Sequence, residues 1–250
     1  MRSDTSSSIL LYGKGVFTTI AIHDGEPLLW AKHWSRLQNN TAKLGISISE
    51  HFEAATRSAL DELIRKENLD QGRVRITFID ASPNPIWGGS GESKTELLIN
   101  TGPKRNRPDR SKLSLSPHLV NSTSPLAGVK SCNYLEHLMA YEETQRRGFD
   151  EAIRLNEKGH ITSACMANVF WETGGKLYTP SLLTGCLPGT TREFVMEHFD
   201  FEEVEAGVEA IESADRIFLT SAGLGIVSVA EFNGRRLDTS EHRILELLPS

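Results

Sequence analysis

Lys130 follows the small apolar run Pro125, Leu126, Ala127, Gly128, Val129 and precedes Ser131, Cys132, Asn133 and Tyr134. An apolar approach with small neighbours strips water from an ammonium, lowers its pKa and leaves a free amine able to attack a carbonyl and form a Schiff base. The same pattern also suits a lysine whose head simply reaches for water. A second chemical signal lies downstream, in Leu187-Pro188-Gly189-Thr190-Thr191-Arg192 ahead of a helical run, Glu193 to Phe199. Gly189 allows a tight bend, and Thr190 and Thr191 fall where the first free N–H groups of a helix point outward. Backbone donors, two hydroxyls and the positive end of the helix dipole make a seat for phosphate. The alternative is an ordinary N-cap.

Elements must hold these groups in place. Ile20-Ala21-Ile22 and Pro27-Leu28-Leu29-Trp30 read as a hairpin around Asp24-Gly25. Helices are expected over about Lys32 to Leu44, stopped by Gly45, and over the segment carrying Phe52, Ala55, Leu60, Leu63 and Ile64. Arg73 to Ile79 alternates as a strand, and Leu97-Leu98-Ile99 is strand-like. After Lys130 and a helix with Leu135, Leu138 and Met139 on one face, Glu151 to Leu155 reads as a strand, Asn156 to Gly159 as a turn and His160 to Thr162 as the return. Ala167 to Trp171 and Leu177 to Pro180, joined across Gly174-Gly175, follow as strands. The polar stretch Gly102 to Arg110 marks a domain boundary, and Asn84 to Ser93, which contains Gly88 to Gly91, is the most loop-like segment.

Composition narrows the function classes. A net charge of −6 argues against a partner held mainly through phosphate contacts to nucleic acid. Cys132, Cys165 and Cys186 are odd in number and lack zinc-site spacing, which points to a reducing cytoplasm and no structural metal. The run Ile9-Leu10-Leu11-Tyr12 is too short for a signal peptide, and no apolar run reaches the length of a membrane span. Gly13-x-Gly15 and Gly223-x-Gly225 lack the third glycine of a dinucleotide fingerprint. His118, His137 and His160 are too scattered for a metal site.

The order of the motifs resembles the class IV aminotransferase family. The pieces are Tyr12-Gly13-Lys14-Gly15-Val16-Phe17-Thr18-Thr19, His33-Trp34-Ser35-Arg36-Leu37, the Lys130 segment through Asn133-Tyr134-Leu135-Glu136, Ile161-Thr162 with Asn168-Val169-Phe170, and Leu187-Pro188-Gly189 with Thr191-Arg192. This resemblance implies an α+β, D-amino acid aminotransferase-like fold (fold type IV) of two domains, residues 1–105 and 111–250. The larger domain would carry the cofactor lysine, and pyridoxal 5'-phosphate would sit in the cleft between them. It also implies a small-molecule amino substrate and a homodimer whose sites borrow a loop from the partner.

Carried over residue by residue, the resemblance makes Lys130 the cofactor lysine and the acid and base that moves the proton. Arg36 would clamp the phosphate, with Thr190, Thr191 and Ser221, since a guanidinium presents a rigid fork to phosphate oxygens. Tyr134 would bond the cofactor's phenolic oxygen, and Tyr12 and Thr18 would line the substrate side. Two positions depart from the family. Lys14 replaces an Asp. Ser163, five residues before the motif's Asn168, replaces the glutamate that pairs with the pyridine nitrogen. A hydroxyl cannot hold that ring proton. Losing a hydrogen bond to a charged group costs about 1.5–3 kcal/mol, roughly one to two powers of ten in rate if fully expressed.

Within the family, Phe17-Thr18-Thr19, Leu126 to Lys130 and Ala167-Asn168-Val169-Phe170-Trp171 resemble the aminodeoxychorismate lyases, which release pyruvate and form 4-aminobenzoate for folate synthesis. A weak electron sink suits such an elimination, because its product is aromatic. The alternatives are an aminotransferase of branched-chain or D-amino acids, and a catalytically silent relative.

Overall fold

In the computed structural model, residues 7–48, 52–83, 94–106, 108 and 111–249 are described; Asn84 to Ser93, with the loop at Gly88 to Gly91, lies outside them. Contacts divide the chain into two compact units, Met1–Arg105 with Val129–Tyr134, and Asn106–Gly128 with Leu135–Ser250. Lys130, expected with the larger domain, is thus grouped with the first unit.

The first unit contains α1 (Ser8–Tyr12), β1 (Gly15–His23), β2 (Glu26–Pro27), α2 (Trp30–Leu44), α3 (Phe52–Glu67), β3 (Gly72–Asp80) and β4 (Thr95–Gly102). Its sheet runs β2-β1-β3-β4 and is antiparallel throughout. The expected hairpin turns at Asp24 and Gly25, whose φ values of 51° and 75° are those of a turn matched to strand twist. Its second strand ends sooner than the sequence suggested. Leu29 takes φ 54° and the chain enters α2 at Trp30, so the apolar run Leu28 to Trp30 serves a helix entrance.

Alternation along the strands sorts the side chains onto two faces. Val16, Ile20 and Ile22 of β1 and Val74, Ile76 and Phe78 of β3 form the core, closed by Trp34 and Leu37 of α2 and by Leu60 and Ile64 of α3. Thr18 shares the core face of β1. Phe17 and Arg75 fall on the other face and are diagonal neighbours, because Phe17 pairs with Thr77 and Thr19 with Arg75.

The second unit contains β5 (Ser111–Leu115), α4 (Leu135–Arg146), β6 (Glu151–Leu155), β7 (Ile161–Ala164), β8 (Asn168–Thr173), β9 (Lys176–Pro180), α5 (Thr190–Met196), β10 (Glu202–Val204), α6 (Glu209–Glu212), β11 (Arg216–Ser221), β12 (Gly225–Phe232) and β13 (Arg235–Arg236). One mixed sheet orders its strands β10-β9-β8-β11-β12-β5-β6-β7, with β13 on β12. Leu113, Ile153, Val169, Trp171, Ile217 and Val229 lie in its largest core cluster. α5 begins at Thr190, three residues before the expected start, with Gly189 in extended conformation as its N-cap. Among the described residues no helix is long and apolar enough to cross a membrane.

The first departure from the family pattern has a local explanation. Lys14 Nζ lies 2.7 Å from Asp80 Oδ2, and the Asp80 N–H donates to Lys14 O at 2.9 Å, so the residue ties the approach to β1 onto the end of β3. Burial pushes the Asp80 carboxyl up, but Lys14 and the hydroxyl and N–H of Ser82 outweigh it and hold the group below its ordinary value. Lys14→Asp sets two carboxylates against each other. It should lower the free energy of unfolding by about 1 kcal/mol, a small figure because the pair is partly exposed. Lys14→Asp with Asp80→Lys should recover part of that loss in urea unfolding; a Lys14→Asp protein as stable as the parent contradicts the pairing.

Candidate active site

Lys130 is placed by backbone pairing on the free edge of β1. The Phe17 N–H donates to Lys130 O at 2.9 Å and the Cys132 N–H to Gly15 O at 2.8 Å. Ser131 forms an antiparallel bridge with Val16. Val129 packs into the core beneath, which fixes the segment on its other side. The two glycines of Gly13-x-Gly15 serve this approach. A Cβ on Gly15 would stand 2.9 Å from Cys132 Sγ, and one on Gly13, at φ 64°, would stand 2.7 Å from Asn133 Oδ1. Asn133 Nδ2 donates to Gly13 O at 3.1 Å. Tyr12, half-buried at the end of α1, therefore adjoins a turn tied to the lysine segment.

The amine sits in an aromatic and cationic setting. Lys130 Nζ donates to the Tyr134 hydroxyl at 3.1 Å and lies 4.6 Å from the ring centres of both Phe17 and Tyr134. The two rings meet edge to face at 5.1 Å. Arg75 stacks its guanidinium 3.6 Å from the centre of Phe17. Among the described residues no carboxylate pairs with Lys130 or with Arg75. Loss of water, then the charges of Arg36 and Arg75, lowers the Lys130 pKa to about 7. Near neutral pH this amine exists in both forms, as a nucleophile or proton carrier requires.

Behind it runs a hydrogen-bonded relay. Arg36 Nη2 donates to Thr18 Oγ1 at 2.8 Å, and Thr18 Oγ1 lies 2.6 Å from His33 Nδ1. Burial, then Arg36 and Lys130, holds His33 well below its ordinary pKa, so the ring is neutral. With its oxygen accepting from Arg36, the Thr18 hydroxyl donates to His33 Nδ1. Thr18 is completely buried, and what it contributes passes through Arg36 and His33.

In the second unit, Thr190 and Thr191 open α5 and are both buried. Among the described residues, Thr191 Oγ1 and, on β11, Thr220 Oγ1 have no hydrogen-bond partner. Buried hydroxyls without partners are costly unless a ligand completes them. Asn168 locks the turn before α5: its Nδ2 donates to Leu187 O at 2.8 Å, and a Cβ on Gly189 would collide with its Oδ1, which only glycine avoids. Ser221 Oγ accepts from the Leu224 N–H at 3.2 Å. Ser163 lies on β7 directly opposite Arg154 of β6.

The structure thus joins Lys130 to Tyr134, Thr18 to Arg36, and Asn168 to the turn that carries Thr190 and Thr191. Arg75 escaped the sequence reading. Its signal was a basic residue alternating with Val74 and Ile76 on the strand, which by itself reads as a solvated face. Arg75→Met removes one of the two cations facing the amine, so the Lys130 pKa should rise above about 7. The pH midpoint for labelling the Lys130 peptide with an amine-selective reagent should move up accordingly. An unmoved midpoint contradicts the assignment. The wild-type folded pKa lies below the ordinary 10.5, so between about 7 and 10.5 the unfolded chain binds more protons. Stability from this group therefore rises with pH across that window and is lost as pH falls through 7.

Residues 15–232 match the family described as Amino-transferase class IV. The chain is 27% identical over 228 residues to the aminodeoxychorismate lyase of Bacillus subtilis, covering 87% of this chain and 77% of that one. It is 28% identical over 241 residues to a putative branched-chain-amino-acid aminotransferase of Methanocaldococcus jannaschii, covering 93% and 83%. The crystal structure of a putative 4-amino-4-deoxychorismate lyase from Legionella pneumophila superposes with a TM-score of 0.87 at 28% identity, covering 97% of this chain and 91% of that one. With the family matched over most of its length, this chain belongs to the class IV aminotransferases, the pyridoxal-phosphate enzymes of fold type IV.

Proposed function

We propose that the chain is an aminodeoxychorismate lyase, releasing pyruvate from 4-amino-4-deoxychorismate to give 4-aminobenzoate, and that it works as a cytoplasmic homodimer. The observation that carries this reading is Ser163, a hydroxyl where the family pattern has a carboxylate. When bound, pyridoxal phosphate supplies an electrophilic carbon for the substrate amine and a ring that accepts an electron pair. A hydroxyl at the ring nitrogen makes that ring a weak acceptor. Elimination to an aromatic product needs a strong acceptor less than transamination does.

The residues present fit the cofactor at two ends. Lys130 offers an amine poised near pH 7, and the Thr191 hydroxyl, without a partner among the described residues, suits a phosphate. Arg36, oriented by Thr18, would hold phosphate charge, with Thr190, Thr191 and Ser221 as further donors. Tyr134 would orient Lys130 Nζ and bond the phenolic oxygen. Lys130 Nζ would then take and return a proton on the substrate. Arg75 has no carboxylate partner among the described residues and would receive a carboxylate of the substrate, with Tyr12 beside it. Asn168 would hold the anion-binding turn in shape.

A second reading, an aminotransferase of branched-chain amino acids, is favoured by the comparable identity to the Methanocaldococcus jannaschii protein, 28% against 27% for the lyase. Purified protein given 4-amino-4-deoxychorismate should form pyruvate and 4-aminobenzoate in equal amounts. Turnover of an amino-acid panel with 2-oxoglutarate and no pyruvate from the lyase substrate would overturn the lyase reading in favour of the second.

A further inference from the structure

Arg154 is completely buried, in the middle of a strand, and lies directly across from Ser163. Side chains opposite each other in an antiparallel pair share a face of the sheet. The guanidinium is held from several sides. Its Nε donates to His118 O at 3.0 Å, and Nη2 donates to Leu119 O at 2.7 Å and to Glu136 Oε1. Nη1 lies 3.2 Å from His137 Nδ1. A guanidinium can only donate, so His137 Nδ1 accepts. The Glu136 side chain is 63% exposed, so the counter-charge stands in water while the cation is fully enclosed. Glu151, whose Oε2 accepts from the Met166 N–H, and the Cys165 thiol are further ionisable groups of this region, and burial pushes that thiol up.

Ser163 is nine-tenths buried, and its hydroxyl makes no hydrogen bond to a described residue. A fixed cation on the residue paired with it across the strands selects the chemistry of what it can meet. A protonated ring nitrogen would bring a second positive charge toward Arg154 with no carboxylate between them. A neutral ring nitrogen instead accepts the Ser163 O–H while the positive charge stays on Arg154.

We propose that Arg154 is a positioning residue which, with Ser163, holds the ring nitrogen of pyridoxal phosphate unprotonated, so that the missing glutamate is replaced by an arrangement of opposite electrostatic sense. This rests on the reading above, in which the chain binds pyridoxal phosphate with Ser163 at its ring nitrogen. One consequence separates it from simple loss of a carboxylate. In Ser163→Glu the new carboxylate faces Arg154 and pairs with it across the strands, so that change alone leaves the ring nitrogen largely unprotonated.

The test is ¹⁵N NMR of the protein loaded with cofactor labelled at the ring nitrogen, between pH 6 and 9, which reports protonation without reference to turnover. Wild type should show the unprotonated nitrogen throughout, and Arg154→Gln should raise its pKa by at least tenfold in proton affinity, with Arg154→Lys close to wild type. A protonated nitrogen in wild type overturns the proposal, as does an unchanged nitrogen pKa in a folded Arg154→Gln protein. Should Arg154→Gln not fold, Ser163→Glu decides: an unprotonated nitrogen supports the pairing and a fully protonated one overturns it. Absence of any cofactor-derived visible absorbance would instead overturn the binding reading itself, and the proposal with it.

Discussion

An ammonium group is stable only where water or a counter-charge surrounds it, and Lys130 is half-buried among cations. Its amine is pressed between two aromatic rings, faces two guanidinium groups and has no carboxylate partner among the described residues. The rest of the first unit serves to keep it there. Backbone pairing of residues 130–132 with the edge of β1 fixes where the side chain starts. Val129 in the core keeps that short segment from peeling away, and Gly13 and Gly15 let it come close. The result is a nucleophile made by placement, with no carboxylate paired to it among the described residues.

The second unit contributes a different kind of preparation. Its turn before α5 is held by the Asn168 amide, and glycine at 189 is the only residue that fits against it. The hydroxyls of Thr191 and Thr220 remain buried and without a partner among the described residues, a cost that an anionic ligand can offset. At Ser163 and Arg154 the preparation is electrostatic: a buried cation stands across from a buried hydroxyl. These features match the chemistry of a family that binds a phosphorylated aldehyde.

Much of this was legible in the chain. The small apolar residues before Lys130 announced a desolvated amine, and Gly189 before two threonines announced a helix entrance lined with hydroxyls. The core alternation in Arg73 to Ile79 matched β3. What stayed hidden depended on partners distant in sequence. Arg75 reads as a solvated strand residue until Phe17 is set diagonally across from it. Arg154, inside Glu151 to Leu155, gives no sign of burial until carbonyls at His118 and Leu119 and the carboxylate of Glu136 are brought around it. Lys14 had no visible purpose until Asp80 was found beside it. Leu28 to Trp30 looked like a strand because an apolar run alone does not distinguish a strand from a helix entrance.

The central claim, that placement alone brings the Lys130 amine to titrate near neutral pH, is open to direct titration. Nitrogen-15 NMR of the lysine side chains in the cofactor-free protein, with Lys130→Met to identify the resonance, gives the midpoint for this one group. A midpoint near 7 is expected. A midpoint at the ordinary lysine value of 10.5 would contradict it.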